Sequence, residues 1–227
     1  ADILTGKVNP SGKLTMTWPI AATDHPSTAN FAKEYDMYTY KNMEGWGKGN
    51  IPGVDFSNHE EDIYVGYRYF DTFKKDVAYP FGFGLSYTTF EMGKPSVKAN
   101  GKNIEVSVTV KNTGKVAGKQ VAQVYVTAPK GAYEKPAKEL KAFGKTRELK
   151  PGESQTLKMT LEKRDLASFD EANSQWKVDA GNYLFQVGTD VESIKGTATL
   201  KVAEYTEKTS SACAPNDQMH HLMQKKL

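Results

Sequence analysis

Residues Ile104-Glu105-Val106-Ser107-Val108-Thr109-Val110 decide the fold. Four aliphatic side chains alternate with three polar ones, and successive side chains of an extended strand point to opposite faces. The run therefore reads as a strand with one buried and one solvated face. Asn112-Thr113-Gly114 ends it with residues suited to a turn. Similar runs recur further along. Gln120 to Ala128 is more apolar and reads as a central strand. Leu157, Met159 and Leu161 alternate after a turn at Pro151-Gly152, and Tyr183, Phe185 and Val187 follow a turn at Asp179-Ala180-Gly181-Asn182. Thr197 to Val202 supplies a last strand. No helical repeat interrupts the series from Phe90 to Val202, and a succession of strands without helices predicts an antiparallel β-sandwich. Tyr183 opens its strand just after a turn. That is the place of a tyrosine corner, with the ring in the core and the hydroxyl bonded back to nearby backbone.

The first ninety residues are less regular. Lys13 to Trp18 sets Leu14, Met16 and Trp18 against Lys13, Thr15 and Thr17, which predicts a short strand stopped by Pro19. Ile20 to Asp62 is long and polar, a length that in a compact domain is functional or packed on a neighbour. Ile63 to Phe73 is dense in aromatics (Tyr64, Tyr67, Tyr69, Phe70) and fits either a strand or a short helix. Ala1-Asp2-Ile3-Leu4 reads as the last turn of a helix closed by Gly6, and a chain opening at a helix end is expected to continue something longer. Met219, Leu222 and Met223 fall at helical spacing and predict a short helix near the C-terminus.

Composition narrows the function classes. The 227 residues are 38% hydrophobic and 25% charged, as expected of a globular protein. The net charge is only +3 and the lysines are scattered, which argues against a nucleic-acid partner. No apolar run approaches the roughly 20 residues of a membrane-spanning helix. Cys213 is the single cysteine, so an internal disulfide is excluded and the compartment stays open.

Candidate chemistry is sparse. Gly6 to Lys13 has one residue too many between its glycines for a phosphate-binding loop, and Leu14 stands where Ser or Thr would reach magnesium. His59-Glu60-Glu61-Asp62 reads as a solvated acidic turn, since neighbours along a strand diverge and a metal needs converging ligands. The pair His220-His221 diverges likewise. No metal or cofactor is expected. Glycoside hydrolysis needs two carboxylates about 5–5.5 Å apart for retention, and no spacing between Asp24 and Asp76 selects such a pair. No catalytic residue is assigned. Trp46, flanked by Gly45 and Gly47, stays open between stacking on a sugar and packing, and the Tyr64 to Phe70 cluster reads as packing between the N-terminal segment and the sandwich.

Three segments, in order, resemble family 3 β-glucosidases: Asn9-Pro10-Ser11-Gly12-Lys13-Leu14-Thr15-Met16-Thr17-Trp18-Pro19, Tyr64-Val65-Gly66-Tyr67-Arg68-Tyr69-Phe70-Asp71, and Tyr79-Pro80-Phe81-Gly82-Phe83-Gly84-Leu85-Ser86-Tyr87-Thr88-Thr89-Phe90. Val108 to Gly114, Gln120 to Tyr125 and Gly181-Asn182-Tyr183 are similar to the family's fibronectin-III-like domain. The resemblance implies a mainly β chain: residues 1–85 end an α/β sandwich domain, 86–203 form an immunoglobulin/fibronectin-III-like β-sandwich, and 204–227 form a polar tail. It also implies a retaining enzyme acting on β-linked glucosides or oligosaccharides; no cofactor is expected, and charge and hydropathy speak for neither nucleic acid nor membrane as a partner. A periplasmic or secreted bacterial location goes with it. In the family the nucleophilic aspartate lies in a Ser-Asp-Trp-like setting, and the acid/base glutamate lies before the Asn-Pro-Ser-Gly segment. This chain has neither. It is expected to pack on upstream catalytic domains and to be inactive alone, the alternative being a carbohydrate-binding or interaction module.

Overall fold

The structure is a computed structural model and describes residues 1–30 and 61–210. Its elements are Trp18–Pro19 (β1), Ser27–Asn30 (α1), Tyr67–Thr72 (α2), Val77–Tyr79 (β2), Phe90–Met92 (β3), Ser96–Asn100 (β4), Asn103–Asn112 (β5) and Val121–Thr127 (β6). They continue with Glu139–Lys145 (β7), Ser154–Glu162 (β8), Ser168–Asp170 (β9), Gln175–Val178 (β10), Gly181–Gly188 (β11), Ile194–Val202 (β12) and Tyr205–Lys208 (β13).

β5 organises the first sheet. β8 pairs antiparallel along it from Asn103↔Glu162 to Lys111↔Ser154. The other edge of β5 is shared, with β3 on its C-terminal end and β4 on its N-terminal end. The second sheet runs β12-β11-β6-β7, all antiparallel. Ile104, Val106, Val108 and Val110 are all buried, and they join Val124, Leu157, Met159, Leu161, Tyr183, Phe185 and Val187 in one core between the sheets. Burying each such aliphatic side chain stabilises the fold by about 1.5–3 kcal/mol. The mainly β antiparallel sandwich expected from the alternation is the architecture found. Tyr183 makes the corner expected of it: its ring is fully buried, and its hydroxyl donates to the Asp179 carbonyl at 2.9 Å.

β6 explains its own composition. Ala122, Val124 and Val126 enter the sandwich core, while Gln123 and Tyr125, on the opposite face, are equally buried. The Tyr79 to Tyr87 segment and α2 cover that second face, so the strand is buried on both sides.

Several elements differ from the sequence reading. Lys13 to Trp18 is not a continuous strand: only Trp18–Pro19 pairs with β2, with an irregular register. Met16 and Trp18 are 61% and 51% exposed, and Thr17 is the buried residue. No described element covers the face that would have ordered the alternation. Of the two alternatives left for Ile63 to Phe73 the short helix is the one found, over Tyr67–Thr72 (α2), entered through Gly66 at φ 60°, a conformation only glycine adopts freely. β7 lacks an alternating pattern because it is a partly buried edge strand, with Phe143 69% exposed. Tyr205–Lys208, part of the segment read as a polar tail, pairs with β10 in a small third sheet, β13-β10-β9. Near the start, Thr5 N–H donates to Ala1 O at 3.0 Å and Gly6 closes that turn at φ 75°. The helix read near Met219 to Met223 lies outside the described residues.

Candidate functional site

Asn9 ties two of the three N-terminal motifs, its own and Tyr79 to Phe90, to the sandwich. Its Oδ1 accepts the Tyr87 backbone N–H at 2.9 Å and the Ser86 hydroxyl at 3.1 Å, while its Nδ2 donates to the Ala117 carbonyl at 2.9 Å. Leu14 N–H donates to Phe83 O at 2.8 Å, and Gly82 N–H returns a bond to Leu14 O at 2.9 Å. The two glycines of Phe81-Gly82-Phe83-Gly84 are dictated by space. A Cβ on Gly82 would lie 2.1 Å from Gln123 Oε1, and one on Gly84 would lie 2.4 Å from Gly12 O.

The aromatic cluster is a packing layer. Tyr67 stacks on Phe81 at 4.5 Å between centroids and meets Tyr125 edge-on at 6.2 Å. The Tyr67 hydroxyl accepts the Leu140 N–H, and Thr72 Oγ1 accepts the Ala137 N–H. Lys138 pairs with Asp71 at 3.3 Å and Arg68 with Glu139 at 3.5 Å. Helix α2 thus docks on β7 and the loop before it.

One face of this assembly stays open. Lys13, Leu14, Trp18, Tyr79, Phe83 and Leu85 line a hollow of about 490 Å³. Trp18 meets Tyr79 edge-on at 6.4 Å, and Tyr79 lies 5.1 Å from Phe83. Trp18, Tyr79 and Leu85 are 51%, 46% and 70% exposed, so large apolar surface meets water here. Burial pushes the Lys13 ammonium below the usual lysine range, against the pull of the Asp190 carboxylate.

Several carboxylates of the described residues are held in ion pairs or hydrogen bonds. Asp71, Glu139, Glu153 and Asp179 are tied to lysine or arginine, with Lys135–Asp179 at 2.6 Å. Asp170 accepts from the Asn173 and Gln175 amides, which hold its carboxyl down at about 2. Among the described residues no three His, Cys, Asp or Glu side chains converge on a metal-sized site. Trp46, His59, Glu60, Cys213 and His220-His221 lie outside the described residues. Sequence reasoning missed Asn9 and Gln123 as the residues that join the pieces. The available signal was an amide in the middle of an apolar run, Val121-Ala122-Gln123-Val124-Tyr125.

Residues 1–87 match the model of the glycosyl hydrolase family 3 C-terminal domain, and residues 120–191 match the fibronectin type III-like domain. The chain belongs to glycosyl hydrolase family 3, in its C-terminal part. This family 3 chain is 42% identical over 204 residues to a β-glucosidase of Kluyveromyces marxianus, covering 89% of the chain and 22% of that protein. It is 40% identical over 212 residues to thermostable β-glucosidase B of Acetivibrio thermocellus, covering 89% and 25%. The structure of β-glucosidase 3B from Thermotoga neapolitana in complex with α-D-glucose superposes with a TM-score of 0.78 at 44% identity, covering 92% of the chain and 27% of that one. The family 3 chain thus spans about a quarter of the length of these relatives. β3, β4 and β5 lie between the two matched spans, and they complete the sandwich that joins them.

Proposed function

We infer that this chain works as the C-terminal, non-catalytic part of a retaining β-glucosidase-type enzyme, stabilises it, and has no turnover of its own. The observation that carries the reading is the open apolar face of Leu14, Trp18, Tyr79, Phe83 and Leu85. It is built entirely from the span matched to the family 3 C-terminal domain. Contiguous apolar surface of this kind suits an interface, and the occupant we assign to it is the upstream remainder of the same α/β sandwich domain. In this reading residues 1–85 finish that domain, residues 86–203 are the fibronectin-III-like sandwich, and the carboxylate pair and the β-linked glucoside lie in the upstream part. The pairing of Asp71, Glu153 and Asp179 with lysine or arginine supports it. The test is an assay on an aryl β-glucoside, with this chain beside a form extended upstream. Turnover is expected only from the extended form, and sustained turnover by the 227 residues alone overturns the reading.

A second reading takes the same hollow, edged by Trp18 and Tyr79, as a carbohydrate-binding surface, with Trp46 as a further stacking residue. It requires retention of the chain on β-glucan or cellulose gels that falls with Trp18→Ala or Trp46→Ala. Absence of retention removes it.

A further inference from the structure

We propose that Gln123 is a positioning residue: it fixes the seat of the Pro80 to Tyr87 loop on the sandwich and thereby holds the open apolar face in shape. Its link to docking rests on the reading above; its role as the seat of the loop does not.

Gln123 is 3% exposed and lies on the face of β6 turned away from the sandwich core. Its amide meets one partner on its own strand and one from each of two other pieces of chain. Oε1 accepts the Tyr125 hydroxyl at 2.6 Å, while Nε2 donates to the carbonyl of Gly82 at 3.1 Å and to that of Thr189 at 2.7 Å. Backbone bonds carry the connection outward. Val191 N–H, just past Thr189, donates to Phe81 O at 3.0 Å, and Gly82 N–H donates to Leu14 O, whose side chain lines the hollow. A series of bonds therefore runs from β6 through Gly82 to the apolar face, although Gln123 does not itself touch that face.

An apolar side chain would fill the same space on an apolar strand. The amide instead accepts one orientation of its neighbours, because a buried donor or acceptor left without a partner is costly and a saturated one is directional. Gly82 makes the fit tighter still. It holds φ 84° and leaves no room for a Cβ beside Gln123 Oε1. Gln123 holds the loop through the Gly82 carbonyl, while the Thr189 carbonyl in the β11–β12 turn orients the same amide.

Amide hydrogen exchange on the 227-residue chain tests this with two variants. Gln123→Glu keeps an acceptor for Tyr125 but, when ionised, has no proton for the carbonyls of Gly82 and Thr189. Gln123→Met keeps the length and loses every bond. At neutral pH, protection at Leu14, Gly82 and Val191 should fall by about tenfold or more in both variants, with Val106 and Val108 in β5 changed by less than about twofold. On acidification the Glu variant gains a donor as its carboxyl protonates, and its protection should move back towards wild type; that of the Met variant should not. Unchanged protection at those three amides overturns the proposal. So does an equal loss in β5, or an acid response the two variants share. The measurement needs no catalytic part, so its outcome is independent of the aryl glucoside assay.

Discussion

The side-chain carbonyl of Asn9 accepts the backbone N–H of Tyr87 at 2.9 Å, joining residues 78 positions apart in sequence. The same amide donates to Ala117 O in the loop before β6. One small side chain therefore ties two motifs of the family 3 span to each other and to the sandwich. Asn9→Ala removes all three bonds and should destabilise the chain by about 2 kcal/mol, given about 1 kcal/mol per bond with partial rescue by water. Asn9→Asp keeps the acceptor and loses only the donor, and should fall between. Urea unfolding followed by tryptophan fluorescence measures both.

Tyr183 makes a second prediction, in the alkaline range. Burial pushes its phenol up to about 12, above the ordinary tyrosine value near 10. The folded state therefore binds this proton more tightly than the unfolded chain does. The associated stability is fully present below about pH 10 and is lost as the pH rises to about 12. Tyr183→Phe removes that dependence. It also removes the bond to Asp179 O, which should lower Tm by about 2–4 °C for about 1 kcal/mol. Thermal unfolding of both proteins between pH 8 and 11 shows whether the gap narrows as predicted.

Asp170 acts at the other end of the scale. The amides of Asn173 and Gln175 hold its carboxyl at about 2, below the unfolded value near 4. Its contribution is present above about pH 4 and is lost as the pH falls to about 2. In Asp170→Asn the acid unfolding curve should flatten in that window, and the β9–β10 turn at Asn173 should lose exchange protection at neutral pH. A variant whose acid transition overlays the wild type contradicts the assignment.

Trp18 separates the 227-residue chain from a form extended upstream. It is half exposed here and meets Tyr79 edge-on, so Trp18→Ala should cost the 227-residue chain only about 1 kcal/mol. In an enzyme extended upstream, where we place a covering domain on this face, the same change should cost about 3 kcal/mol or more. Calorimetric scans of the two forms compare the effects directly.

The alternation from Ile104 to Val110, the turns after it and the placement of Tyr183 were enough to determine a sandwich. Each depends on local periodicity, and a period of two specifies a strand and its buried face without knowledge of the partner. The ordered motifs were enough for the family. Other features depended on what lies opposite a residue in space. β7 has no clean alternation because it is a partly buried edge strand, and β13 is four residues with Tyr205 as its one apolar side chain, too few to mark a period. Leu14, Met16 and Trp18 alternate as if half-buried, yet no described element lies over Met16 or Trp18. Gln123 reads as an interruption in an apolar strand. Only the tertiary structure shows why it is there, since its partners Gly82 and Thr189 come from positions 41 and 66 residues away. A buried amide is specified by the groups it must satisfy, and those are set by how the pieces are joined rather than by the neighbouring sequence.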